Sequence, residues 1–547
     1  MNKDFISKVM GLAKGVLPFY LFALLPLSVC AQKSLTVKLD AAGQLATKIA
    51  EDQRFQIADL TISGPMDGAD LKLLQQIVTR TKTNKNNPGE CLVTALDLSG
   101  ATIVDSNVKG GLKTQAGELP AGIFAGAKSL TKLVLPSSLT AIGKEAFQTC
   151  ESLTAITIPA SVKQIANEAF EDCKSITAME LPKGITAIAP QLFNGCKALK
   201  SVTIPNGVTI IGGSAFKGCS SLTNITLPAT VNEIETSVFY NCTNLKSIEM
   251  ASVSKIGANA FTDCKNLERV TLNRISSLGM IAFNNCTNLK TVTMQGTLTD
   301  INTAAFQGCS SLKSVTMPAT VKTISSRAFE NCKSLTDINF PASLNKINDY
   351  AFQDCVSLKA IDLPSSLKDL EDHAFEGCSS LESVTINSAL TEIETYAFRN
   401  CSNLQKVVLP NTVKRIGRNA FCGCTLLFDI NWPSQLKTIE DAAFEKCSSL
   451  KTIEFANGLK SIGGDAFKGC IQLTSVDLPA TIKDLGGSAF QECTSLATIT
   501  INTATPPSIS GDTFKKTPAT ILIPKGSKAV YAADKKWSKV SGVKENN

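Results

Sequence analysis

Histidine is almost missing from this chain. One, His373, occurs in 547 residues. Paired-histidine metal sites are therefore excluded, and histidine acid–base chemistry is confined to one position. Tryptophan and tyrosine are scarce, at 2 and 5 residues, so the aromatic anchors of tight interfaces are few. Net charge is small: 54 basic residues against 47 acidic give +7. Read as mixed along the chain, this balance does not argue for a nucleic-acid partner. Beyond the N-terminal region no apolar run approaches the roughly 20 residues of a membrane span. Also missing are a phosphate-cradling glycine loop, paired metal ligands, a nucleophile beside a base, and a carboxylate pair that stands apart from the surrounding pattern. An enzyme is not expected, nor is a cofactor or metal. The length exceeds one ordinary globular core, which leaves several domains or a repeat array.

What is abundant is phenylalanine at one interval. From Phe124 through Phe147, Phe170, Phe193 and onward to Phe514, eighteen phenylalanines recur every 23 residues. The exceptions are two steps of 22 around Phe261 and a last step of 24. The unit from Leu153 to Ser175 shows why such a period folds. Ile156 and Ile158 flank Thr157 with strand spacing, and Pro159 ends the strand because it has no N–H for a ladder. Val162 and Ile165 turn inward from a second short extended segment, Ala169-Phe170 makes a corner, and Cys173 closes the unit. Stacking copies puts each apolar position over its counterpart. Each buried phenylalanine then contributes about 1.5–3 kcal/mol.

The pattern of Ile204-Pro205, Ile211-Gly212 and Ala215-Phe216-Lys217-Gly218-Cys219 resembles the BspA-like leucine-rich repeat family, over roughly Leu130 to Ile523. The resemblance implies a mostly β fold with short helical turns: a right-handed leucine-rich-repeat solenoid with a parallel sheet on one side and capped ends. At about 4.8 Å per rung the array runs on the order of 85 Å before curvature. It also implies surface adhesins, some of which bind host matrix proteins.

Four segments are expected: a signal peptide at 1–31, an N-terminal cap with degenerate repeats at 32–120, the 23-residue repeats at 121–514, and a last rung with a C-terminal cap at 515–547. The leader has Lys3, Lys8 and Lys14, an apolar stretch from Val16 to Val29, and Val29-Cys30-Ala31 before Gln32. This suits cleavage after Ala31, with lipidation of Cys30 as the alternative. Secretion to the cell surface or medium follows, with the periplasm, or an outer-membrane lipoprotein, as alternatives. Related lipoproteins that reach the surface carry an acidic run after the cysteine, whereas Ala31-Gln32-Lys33-Ser34 stands here. In the cap, Leu71, Leu73, Leu74, Ile77 and Val78 have helical spacing, and Thr81–Pro88 reads as a loop.

Sixteen of the 19 cysteines sit three residues after a marker phenylalanine, from Cys150 to Cys493. Parallel stacking keeps their Cβ atoms farther apart than the roughly 3.8 Å a disulfide wants, so they read as buried free thiols. Cys422 falls on a variable position and reads as an exposed thiol. His373, in Glu371-Asp372-His373-Ala374-Phe375, reads as a solvated corner residue.

The outward strand positions are the candidate binding row: Thr157, Glu180, Thr203, Thr226, Glu249, Thr271, Thr293, Thr316, Asn339, Asp362 and Thr385, continuing through Asn431, Glu454, Asp477 and Thr500. Only Val134 and Val408 are apolar, and none is basic. Threonine suits any solvated strand face, but the row also forms a broad, polar to slightly acidic surface. It fits a protein or glycan, including a host matrix protein, and lacks the basic stripe that nucleic acid requires. The expected function is a non-catalytic, adhesin-like envelope or secreted binding protein. The alternatives are a periplasmic assembly scaffold or, less well supported, an envelope enzyme with the repeats as scaffold. The two short units lose a residue and the proline at Met250-Ala251-Ser252-Val253 and Leu272-Asn273-Arg274-Ile275, marking a change of curvature or a small site.

Overall fold

The computed structural model describes residues 33–80 and 92–546. The leader with Cys30 and the Thr81–Pro88 stretch lie outside the described residues.

Alternation in Ala155-Ile156-Thr157 makes one three-residue strand, with Ile156 buried between two exposed neighbours. Its equivalents pair in parallel from rung to rung, as in Ala178–Glu180 with Ser201–Thr203, and Arg269–Ile275 with Thr291–Gly296. At the N-terminal end the ladder continues through Lys33–Lys38, Ile57–Met66, Ala95–Asp97 and Lys132–Val134. At the other end Thr520–Ile523 pairs with Val543–Glu545.

The second extended segment of each unit also pairs. Two-residue strands such as Gln164–Ile165, Ala187–Ile188 and Ile210–Ile211 form a narrow parallel ladder of their own, reaching Ser508–Ile509. The expected parallel sheet is thus accompanied by a second, narrower ladder from the second extended segment of each unit. One apolar residue per strand suffices, because the polar partner only has to face water.

Between the ladders lies the phenylalanine corner. It is a run of turns, whereas the helices, Leu45–Lys48, Gly68–Thr79 and Lys528–Ala533, all lie toward the ends. The short helices expected with this fold thus lie, among the described residues, outside the phenylalanine repeats. The backbone is left-handed two residues before and two after most marker phenylalanines, as at Glu145 and Thr149 or Tyr350 and Asp354, with φ of 57–59° at these four. Left-handed residues turn the alternate N–H groups along the stack. Glu145, Phe147 and Thr149 donate to the carbonyls of Asn167, Ala169 and Glu171 of the next rung, at 2.7–3.1 Å. This satisfies backbone that burial would otherwise orphan.

Every marker ring from Phe124 to Phe490 is fully buried. Neighbouring centroids along that column lie 4.9–5.8 Å apart, as at Phe124–Phe147 and Phe261–Phe283. The cysteines follow the same stacking. Each ladder thiol donates to the carbonyl of the phenylalanine on the preceding rung, from Cys150 on Phe124 to Cys493 on Phe467, at 3.0–3.3 Å. Each such carbonyl from Phe147 onward also accepts the N–H of its own unit's cysteine, so the thiol fills its second lone pair. At the last rung Thr517 replaces cysteine, and its hydroxyl makes the same bond to Phe490 at 2.6 Å. Burial pushes the thiols of Cys196, Cys242, Cys401 and Cys493 up from their ordinary range.

Candidate binding surface

The strand register brings the predicted row together. Glu180 lies beside Thr203, Thr226 beside Glu249, and Thr271, Thr293 and Thr316 follow one another. Asp362 pairs with Thr385, and Thr385 with Val408. Thr157, Asn339 and Asp362 are exposed, whereas Thr293 and Thr385 are half-buried. The row extends past both ends of the phenylalanine column, from Thr36, Thr61 and Asp97 to Leu522 and Lys544. Arg269 and Lys406 lie on the adjoining row, and Lys406 is neutralised by Asp429 at 3.1 Å. The face is therefore polar and shallow, with threonine methyls and hydroxyls alternating with carboxylates.

Two interruptions break its uniformity. The short unit at Leu272–Ile275 has no proline, so the strand runs on for seven residues, Arg269–Ile275. Its partner strand also runs on to Gly296, whose φ is 132°. A β-carbon there would lie 2.4 Å from the Ile275 carbonyl oxygen, so only glycine fits. The second interruption is apolar. Phe428 is 57 % exposed, and Leu426 and Val408 are exposed nearby in sequence and register. Phe428 takes the place of Thr154, Lys200 or Gln405 in other units, four residues after the cysteine. It is an exposed aromatic side chain that reading the row alone overlooks.

The corner holds a largely polar ladder one residue after the phenylalanines from Phe147 onward. Gln148 donates to Glu171 at 2.6 Å, Gln307 to Glu330 at 2.8 Å and Gln353 to Glu376 at 3.0 Å. Cys422 occupies this ladder and is buried, its sulfur 3.8 Å from Glu445. Its exposed reading is thus corrected: the position is shielded by long side chains on neighbouring rungs. Burial raises its thiol pKa.

His373 is not a freely solvated residue either. Its ring stacks between Tyr350 and Tyr396, with centroids 4.4 and 4.5 Å away, and Nδ1 lies 2.6 Å from the Glu376 carboxylate. Arg327 covers the Tyr350 ring at 4.5 Å, and Arg399 lies 3.3 Å from Glu376. Both faces of the imidazole are occupied and its carboxylate is shared with Arg399 and Gln353. The arrangement holds the corner together. Among the described residues no group of three His, Cys, Asp or Glu side chains is placed to hold a metal. No described helix is long and apolar enough to cross a membrane.

The model of the BspA type leucine rich repeat region matches residues 117–246, 188–313, 300–427 and 414–530, overlapping segments that span most of the chain. The chain belongs to the BspA-type leucine-rich repeat family. Among solved structures, a leucine-rich repeat protein from Bacteroides ovatus is 24% identical, with 78% of this chain and 98% of that one covered and a TM-score of 0.48. A leucine rich cell surface protein from Faecalibacterium prausnitzii is 30% identical over 59% of this chain and 86% of that one, with a TM-score of 0.37. No curated protein matches the chain. The matched segments of the BspA-type array contain the strand row from Thr157 to Thr500, Phe428, and the His373 column.

Proposed function

We propose that this protein is a non-catalytic, adhesin-like binding protein of the bacterial envelope, which holds a protein or glycan across several rungs of its outward strand face. The observation that carries the reading is the register: from Thr157 to Thr500, threonines, asparagines and carboxylates of many rungs align in one row with no basic residue. A long row of weakly interacting side chains suits an extended partner, where affinity accumulates over many contacts. Phe428 adds one apolar contact at the edge of that face. The occupied faces and shared carboxylate of His373 support the absence of catalysis, since its stacks and its carboxylate partner are used to hold the corner. The resemblance of the leader to a secretory signal, with its lipidation alternative at Cys30, supports export, and protease shaving of intact cells separates surface display from a periplasmic location.

The test is binding of the purified mature chain to panels of extracellular matrix proteins and glycans. The comparison is a variant carrying Thr271→Lys, Thr293→Lys and Thr316→Lys. These side chains face outward, so the variant keeps its circular dichroism and melting temperature while losing the partner. A folded variant that binds as before overturns the assignment of the face.

A further inference from the structure

Charge is not mixed evenly along the chain, contrary to the composition-level reading. Between Gln32 and Gly511 there are 43 basic and 43 acidic side chains. From Asp512 to Asn547 there are eight lysines against Asp512, Asp534 and Glu545. Outside the leader, the whole net charge therefore sits on the C-terminal cap.

The three cap carboxylates are engaged locally. Asp512 accepts the hydroxyls of Ser488 and Ser510. Asp534 accepts the N–H groups of Lys536 and Trp537 at 2.8 and 3.0 Å, and Glu545 accepts that of Lys528 at 2.9 Å. Of the eight lysines, only Lys516 reaches a carboxylate among the described residues, Glu492 at 3.0 Å. All eight are exposed.

Three of them line a cavity. The last rung departs from the regular stack: Phe514 stands 6.4 Å from Phe490 and meets Trp537 at a tilt of 51° rather than another parallel ring. That irregularity leaves a cavity of about 750 Å3, walled by Lys515, Lys536, Lys539, Ser510, Thr517 and Gly542 among others. A neighbouring groove of about 540 Å3 shares Ser510 and Lys536 but is lined by Arg418 together with Glu440, Asp441 and Asp484, so its charge is mixed.

We infer that this cavity binds an acidic polysaccharide, through sulfate or carboxylate groups held by Lys515, Lys536 and Lys539. The site is separate from the strand face and does not rest on the function proposed for it. Lysine ammonium groups are point charges that suit such anions without fixed bidentate geometry. A flat anionic membrane does not enter a concave cavity, whereas a polymer chain does. Single-stranded nucleic acid binds by stacking bases on exposed aromatic rings. Here Tyr531 and Trp537 are buried, with their polar atoms committed to the carbonyls of Thr503 and Pro507 at 2.8 and 2.7 Å.

The experiment measures binding of the full mature chain to a heparin oligosaccharide (sulfated), polygalacturonate (carboxylated), phosphatidylglycerol vesicles and an oligo-dT. The test variant carries K515Q, K536Q and K539Q. The control variant carries K246Q, K313Q and K451Q, which remove the same charge from the repeats. Expected is salt-sensitive binding to at least one acidic glycan, weakened roughly tenfold or more in the cap variant at low salt. The control should bind as the parent does. Binding to neither glycan, equal loss in both lysine variants, or tighter binding to vesicles or oligo-dT than to either glycan overturns the inference.

Discussion

Replacing Phe283 with alanine removes one ring from the middle of the column, and its consequences can be worked out from neighbouring contacts. The ring is fully buried and stacks on Phe261 at 4.9 Å and Phe306 at 5.4 Å. Truncating a buried phenylalanine costs about 3–5 kcal/mol, because the void cannot collapse fully. In a stack where each rung contacts only its neighbours, that loss enters the two adjoining interfaces and no others. The corner amides report it directly. Phe261 donates to Ala282 at 2.7 Å, Phe283 to Ala305 at 2.8 Å and Asn285 to Gln307 at 2.8 Å. Hydrogen exchange at these amides should accelerate by roughly two to four orders of magnitude if opening is local. The equivalent amide of Phe467, bonded to Ala489 at 2.8 Å, should exchange at its parental rate. Phe283→Leu, which keeps most of the volume, should show only a small part of the effect. Unchanged exchange around residue 283, or equal acceleration at Phe467, would refute the account of the column as a sum of nearest-neighbour contacts.

Other expectations follow from particular residues. Buried thiols such as Cys242 and Cys401 hold their protons more tightly folded than unfolded, and Cys493 is pushed up to about 12. An unfolded thiol ionises near about 8.5. Above that pH the folded state therefore binds more protons, and stability falls by about 1.4 kcal/mol per pH unit for each such thiol until its folded value is reached. The chain should accordingly unfold steeply between about pH 9 and 11, and a native far-UV spectrum with thiolate absorbance at pH 11 contradicts this. His373→Asn keeps a side chain tolerant of the left-handed φ of 58° but removes two ring stacks, so denaturant titration should show a loss of about 1–2 kcal/mol. Any enzymatic turnover abolished by that one change sinks the non-catalytic reading. Phe428→Ser removes an exposed ring, so it should leave the melting temperature nearly unchanged while weakening partner binding. A large fall in stability places the ring in the core instead.

Much of the architecture is legible in the residues because stacking turns one 23-residue unit into every contact. The phenylalanine interval locates the column, and Ile156-Thr157-Ile158 separates the buried from the exposed side of the strand. What escapes such reading depends on neighbours 23 residues away in sequence. Tyr350, His373 and Tyr396 stand at that offset and would have revealed the ring stack had the corner row been aligned as the strand row was. Cys422 looks exposed as a single residue, and only the polar side chains above and below it, Arg399 and Glu445, make it buried. The thiol-to-carbonyl bonds left one trace, the threonine at 517 in place of cysteine, which keeps a donor at that position. The narrow second ladder spans only two residues per unit, too few to distinguish paired from merely extended backbone.

The central claim, that the outward strand row is the binding surface, is tested most directly by substituting it in steps. Lysine is placed first at Thr293 alone, then at Thr271, Thr293 and Thr316, and then along the row from Thr157 to Thr385, and each folded variant is titrated against a protein or glycan that the parent chain binds. If contacts are spread over rungs, the single change has little effect, the triple change weakens binding by roughly tenfold or more, and the whole-row change abolishes it. Binding by the folded whole-row variant at the parental affinity contradicts the account.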